Sequence, residues 1–202
     1  MPDRDFHFTT VALPGESQYR EKGSRFLAWA LPVRSEAEVK AHIARFWQEH
    51  PDACHVCYAY LLKKDKGEGR AQDDGEPSGT AGRPILNQIL SSGYEDVLVA
   101  VVRYYGGVKL GTGGLVQAYK TVARDALADA QTVTVEPAGT AAVVFPFSLE
   151  GKVNALIKKY RMEIGERRFT ERCRLTLHIP LSVYPEALEE LKALHGAVVE
   201  TD

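Results

Sequence analysis

The chain has 202 residues, enough for one large domain or two small ones, and its 45% hydrophobic and 26% charged content is ordinary for a protein that buries a core. A net charge of −2 supplies no global attraction to nucleic acid, although a local basic patch can sit inside a balanced total. The longest apolar run, Val97 to Val102, falls far short of the roughly 20 residues that cross a bilayer, and the opening "MPDRDFHFTT" lacks a cationic segment backed by an apolar one, so a cytoplasmic chain with no membrane partner is expected.

Strands are expected over 6–11, 16–22 and 25–33, joined by hairpins. "SEAEVKAHIARFWQEH" then carries Ser35 as an N-cap with Glu38 three residues on, a capping box, and repeats Val39, Ile43 and Phe46 at helical spacing, so an amphipathic helix is expected to end before Pro51. The next segment, "ACHVCYAYLL", is rich in β-branched and aromatic residues and reads as a strand. Its two cysteines resemble a redox or metal motif. On a strand, residues three apart point to opposite faces, so Cys54 and Cys57 cannot close on one metal, and both are expected as buried or half-buried structural thiols. Three cysteines in total, an odd number, also argue against a disulfide framework.

The stretch "KKDKGEGRAQDDGEPSGTAGRP" that follows is polar, glycine-rich and too long for a simple turn, a type of loop that often carries function. A helix is expected over 84–92 with Gly93 as its stop, and then the strand "DVLVAVVRYY", whose lack of polar alternation suggests burial on both faces. "RYYGGVKLGTGGL" leads from that strand into a long helix with Leu115, Ala118, Tyr119, Val122 and Ala126 on one face, and "TVTVE" ends the region as a strand. Beyond "EPAG" the order is strand, helix, strand, strand, helix, strand in about 60 residues, which matches the ferredoxin-like split βαβ unit. The expected fold class is therefore α+β, with domains at 1–137 and 138–202.

Five glycines between residues 106 and 114 ask for a ligand or a close backbone neighbour. Gly106 and Gly111 have the separation of a nucleotide-binding P-loop, but Thr112 stands where the phosphate-binding lysine belongs, and Val116 breaks the dinucleotide fingerprint that Gly111 and Gly113 begin. What remains is an anion site made of backbone N–H groups near a helix start with Arg103, Lys109 and Lys120 nearby, or tight packing of this turn against the earlier loop. In that loop Asp73, Asp74 and Glu76 suit general acid/base work or a divalent cation, or are turn chemistry. Ser78 lacks a nucleophile-elbow context, and the six histidines show no ligand spacing. In the second domain Arg172 and Arg174 alternate with core residues, and Arg167 and Arg168 on the preceding strand add to a basic face. No outward aromatic is assigned there to stack bases.

Taken together, "DDGEPSGTAGRPILNQIL" at Asp73 to Leu90 and "VVRYYGGVKLGTGGLVQAYKTVARDAL" at Val101 to Leu127 resemble the IMPACT family. The resemblance implies an N-terminal α/β sandwich domain like the second domain of a small-subunit ribosomal protein and domain IV of elongation factor G, and a C-terminal domain like domain V of that factor. Eukaryotic relatives restrain a stress-activated initiation-factor kinase by competing for its ribosome-associated co-activator, and carry an added N-terminal recruiting domain; residue 1 here stands almost at the first strand, so only an association with the translation machinery or nucleic acid is expected to carry over. The family's shared surface corresponds to Asp73, Asp74, Glu76, Gly79, Thr80 and Gly82 together with Arg103, Tyr105, Gly106, Gly107, Lys109, Gly111, Gly113 and Gly114. The resulting reading is a binding protein whose partner is RNA, DNA or a ribosome-associated protein, with no cofactor, metal or defined catalytic activity. Its alternatives are a metal-dependent hydrolase built on Asp73 and Asp74, and a regulator that binds only protein.

Overall fold

Strand β6 (Val97–Tyr104) organises the first half of the chain, because it is buried on both faces from Val97 through Arg103. The computed structural model describes residues 7–63 and 68–201. Val97, Val99 and Val101 pack with α2 (Gly82–Ser92) and α3 (Gly111–Asp129), while Leu98, Ala100 and Val102 pack with α1 (Glu36–Glu49) on the other side. A strand covered by helices on both faces has no use for polar alternation, and its unbroken apolar run follows from that.

Around β6 lies a five-stranded sheet in the order β2-β3-β6-β4-β5, formed by β2 (Gly15–Glu21), β3 (Ser24–Pro32), β4 (His55–Leu61) and β5 (Arg70–Gln72), with every neighbouring pair antiparallel. Helix α1 begins as its capping box predicts: Ser35 Oγ accepts the Glu38 N–H at 3.2 Å, and Glu38 Oε2 reaches back to the Arg34 N–H at 2.9 Å. The long polar stretch after β4 is not all loop, since β5 adds a three-residue edge strand to it. Lys64, Asp65, Lys66 and Gly67 of that stretch lie outside the described residues.

One expected hairpin is absent. β1 (Phe8–Leu13) pairs with β7 (Gln131–Val135) in a separate two-stranded sheet rather than with β2. Only Pro14 separates β1 from β2, and the tightest common hairpin needs a two-residue loop. The chain therefore continues instead of folding back.

The chain divides into two compact units, Phe8–Thr134 and, with His7, the part from Val135 onward. In the second unit β8 (Ala138–Phe145), β9 (Glu163–Phe169), β10 (Cys173–Pro180) and β11 (Val198–Thr201) form an antiparallel sheet in the order β11-β8-β10-β9. Its alternating residues Cys173, Leu175, Leu177 and Ile179 join Val153 of α4 (Glu150–Lys159) and Ala187 and Leu191 of α5 (Tyr184–Lys192) in a second core. The described residues thus make an α+β protein, and no helix among them is long and apolar enough to cross a membrane.

Candidate functional site

The alternation of β6 places residue 103 on the same face as Val97, Val99 and Val101, so Arg103 is driven under the helices and is only 5% exposed. Burying a guanidinium without a counter-charge is costly, and Glu76 supplies that charge, with Arg103 Nη1 at 2.5 Å from Glu76 Oε1. The Tyr119 hydroxyl of α3 donates to the same oxygen at 2.8 Å, and Arg103 Nη2 lies 3.4 Å from Ser24 Oγ. Cys57 Sγ sits 3.2 Å from the Tyr119 hydroxyl and 3.0 Å from the Asp73 carbonyl. Burial pushes both the Cys57 thiol and the Tyr119 hydroxyl far up, so both remain neutral. Arg103 Nε is buried without a hydrogen-bond partner. Expected at a surface beside Lys109, Arg103 is instead the centre of an internal network, because strand parity and not loop geometry sets where its side chain goes.

The 73–82 loop is held by its own carboxylates. Asp73 Oδ1 accepts the N–H groups of Ala81 at 3.0 Å and Gly82 at 2.8 Å, and Oδ2 accepts that of Gly79 at 2.8 Å, which together cap the start of α2. Partial burial pulls the Asp73 carboxyl upward, but these three backbone donors outweigh it and leave the group below its ordinary value. Asp74, at a left-handed φ of 46°, turns its carboxylate onto the Val56 N–H at 2.6 Å. Thr80 Oγ1 donates to the Pro77 carbonyl at 2.6 Å, and Gly82 lies so close to the Gln72 backbone that a Cβ would fall 2.6 Å from it. Both aspartates are thus occupied by backbone donors. Among the described residues no group of three or more His, Cys, Asp or Glu is placed to hold a metal ion.

Above the Arg103–Glu76 pair lies an open pocket of about 480 Å³. Glu76, Arg103 and His55 contribute its polar lining, Pro77, Leu110 and Leu115 its apolar lining, and the exposed Tyr105 and Lys109 stand beside Gly111 and Thr112 at the start of α3. Glu76 and Pro77 are where the first glycine-rich segment meets the second. No side chain of the N-cap residue Leu110 caps α3, and its first turn contains no acid. Gly111 enters the helix at a φ of +74°, which disfavours a side chain. Gly106 has a different task from the one expected. A Cβ there would lie 1.9 Å from Gly23 C and 2.1 Å from Ser24 N, so it packs against the β2–β3 turn and not against the 73–82 loop. Gly113 and Gly114 lie in the first turn of α3, Gly79 and Gly107 adopt positive φ, and a Cβ at Gly79, Gly107 or Gly113 would meet open space.

His55 was not singled out by its sequence context. It belongs to the site because β4 pairs with β6 in a register that sets His55 opposite Arg103, and opposed residues of antiparallel strands share a face. Its Nδ1 lies 2.8 Å from the Asp74 carbonyl, an acceptor, so Nδ1 carries a proton, and its Nε2 lies 4.0 Å from Glu76 Oε1. Cys57, two residues on along β4, joins the same network for the same reason, and Tyr119 reaches it from α3. The only signal for His55 is strand register, which no local pattern reports.

The basic face of the second unit is weaker than its sequence suggests. Arg167 lies opposite the buried Leu175, so it does not share a face with Arg168 and Arg174, which are opposed to each other. Arg174 pairs with Glu200 at 2.6 Å, Arg168 with Glu166 at 3.2 Å, and Arg172 donates to the Gly196 carbonyl. Consecutive strand residues point to opposite faces, which separates Arg167 from Arg168, and nearby carboxylates on β9 and β11 take up Arg168 and Arg174. Exposed aromatics do occur: Phe147 and Phe169 stack with their rings 6.5 Å apart. Cys54 differs as well, being exposed just before β4 begins, whereas Cys57 is buried within it.

Comparison with known proteins bears on this geometry. The family model for the Impact N-terminal domain matches residues 22–127, which contain every residue lining the pocket. A Thermus thermophilus protein described as an IMPACT family member in a pol 5′ region is 42% identical over 157 residues, covering 78% of this chain and 84% of that protein. A Haemophilus influenzae IMPACT family member is 35% identical over 170 residues, covering 83% and 81%. A crystal structure of a hypothetical protein superposes with a TM-score of 0.75 at 29% identity over 97% of both chains. With its pocket inside the matched domain and relatives aligned over most of its length, the chain belongs to the IMPACT family.

Proposed function

We propose that the protein acts in the cytoplasm as a translation-associated binding protein that holds a nucleic-acid backbone, free or ribosome-linked, at the start of α3. The observation that carries this reading is Lys109. It is exposed at the pocket rim, has no carboxylate partner among the described residues, and stands beside a helix N-terminus whose N–H groups no side chain covers. Phosphate is the anion that such a combination favours when the lining glycines let a backbone approach. The hydrolase alternative has less support, since the Asp73 and Asp74 carboxylates are held by backbone N–H groups and do not converge.

The same inference extends to architecture. The sheet order β11-β8-β10-β9, with two helices packed on one core, supports a ferredoxin-like split βαβ unit for the C-terminal domain. Helices on both faces of the five-stranded sheet support the N-terminal sandwich domain, and the two compact units, which part between Thr134 and Val135, support a domain boundary near residue 138.

Single-stranded RNA and DNA should be retained by the full chain in a salt-dependent way, with a log–log slope of roughly −0.7 for each phosphate contact. Lys109→Ala should reduce both affinity and slope across unrelated sequences. Pull-down from lysate with and without nuclease separates a nucleic-acid partner from a protein one. An unchanged slope in Lys109→Ala, or capture that nuclease does not affect, would favour the protein-binding regulator.

A further inference from the structure

We propose that the pocket beside α3 takes a single nucleotide unit, its phosphate on the first turn of α3 and Lys109, its base against Tyr105. This rests on the nucleic-acid reading and narrows it from a phosphate-holding surface to a pocket for one phosphate and its base.

Three independent features converge there. The first is the helix start. Ser35 caps α1 and the Asp73 carboxylate takes three N–H groups at the start of α2, but α3 opens with Gly111, Thr112, Gly113 and Gly114, without a capping side chain or an acid. Its free N–H groups and the positive end of its dipole attract an anion. The second is Arg103. It is 5% exposed, lines the same pocket, and its Nε–H finds no acceptor in the protein. A buried donor without an acceptor is rare, and here it belongs to a lining side chain whose hydrogen bonds the protein itself leaves incomplete. The third is the lining. Pro77, Leu110 and Leu115 give the pocket an apolar wall that a bare anion does not need, while Tyr105, 47% exposed, offers a ring face to a base.

Charge and size agree. Glu76 would repel phosphate if it were free, but its carboxylate is matched by Arg103 and bonded by Tyr119, which leaves Lys109 and the helix terminus as the net field. A volume of about 480 Å³ lies within the range of small-ligand sites. His55, fixed by the contact of its Nδ1 with the Asp74 carbonyl, adds a polar ring to the same lining.

The test uses the full chain, titrated calorimetrically with adenosine monophosphate and with inorganic phosphate, and by anisotropy with a labelled single-stranded decanucleotide. Adenosine monophosphate should bind saturably and more tightly than phosphate. Lys109→Ala should weaken it about tenfold, the equivalent of one charge-assisted contact. Thr112→Asp should abolish binding while leaving the melting temperature equal or higher, because an acid in a first helical turn is stabilising. Tyr105→Ala should remove the advantage of the nucleotide over phosphate. If the nucleotide fails to bind, or binds no better than phosphate, while the decanucleotide still binds through Lys109, the pocket inference is overturned and the broader reading stands. If the decanucleotide shows no salt-dependent binding but the nucleotide binds and is lost in Thr112→Asp, the nucleic-acid reading falls and the pocket is a free-nucleotide site.

Discussion

Arg103 and Glu76 meet with Nη1 2.5 Å from Oε1, on β6 and on the loop before α2, where their side chains are 6% and 3% exposed. Such a pair is strongly coupled through desolvation: removing one member strands the other without solvent. Glu76→Ala should therefore destabilise the first unit by about 3–5 kcal/mol, while an Arg103→Met, Glu76→Leu double substitution should cost much less. Urea unfolding of the two variants decides it. Equal losses would mean that packing and not charge accounts for the effect.

Asp73 gives the site a pH signature. Its folded pKa lies below the ordinary carboxyl value of 3.8, because three backbone donors outweigh burial. The lowered folded value means that its contribution is complete above about pH 4 and is lost as pH falls through the folded pKa. Asp73→Asn should cost about 0.5–2 kcal/mol near neutrality, the range for a lost helix cap, and the gap to the parent should close in acid. A gap independent of pH would contradict the capping role.

The glycines separate into two kinds. Gly106→Ala should destabilise by about 1–3 kcal/mol or prevent folding, since its Cβ would enter the Gly23–Ser24 backbone. Gly113→Ala meets nothing within 4 Å inside α3 and should stabilise by about 0.5–1 kcal/mol. Melting curves for the two variants should move in opposite directions. Movement the same way would show that the close contact at Gly106 does not govern its identity.

All three cysteines are free, but only Cys54 is exposed. Burial raises the Cys57 and Cys173 thiols, which lowers their reactivity further. A colourimetric disulfide reagent should titrate one thiol quickly in the native protein and the other two only on unfolding, with Cys54→Ser removing the fast phase. Fast reaction of two thiols would show that the buried network around Cys57 opens readily.

Local pattern was enough for the features that depend on neighbours in sequence. The capping box at Ser35 and Glu38, the apolar stripe from Leu115 to Ala126 on α3, and the buried run of β6 are each written in a period of 3.6 or in its absence, and each is where the pattern places it. The α+β class and the family are legible for the same reason, as is the concentration of glycines and acids in two segments. What those side chains do was decided elsewhere. That β1 joins β7, that Gly106 lies against Gly23, that His55 stands opposite Arg103, and that Arg103 is sealed under Tyr119 and neutralised by Glu76 all depend on which strands pair and in what register. Register is set by long-range burial of whole faces, and a slip of β4 by one residue against β6 would turn His55 to the face opposite Arg103, so only the assembled sheet turns a glycine-rich sequence into a site.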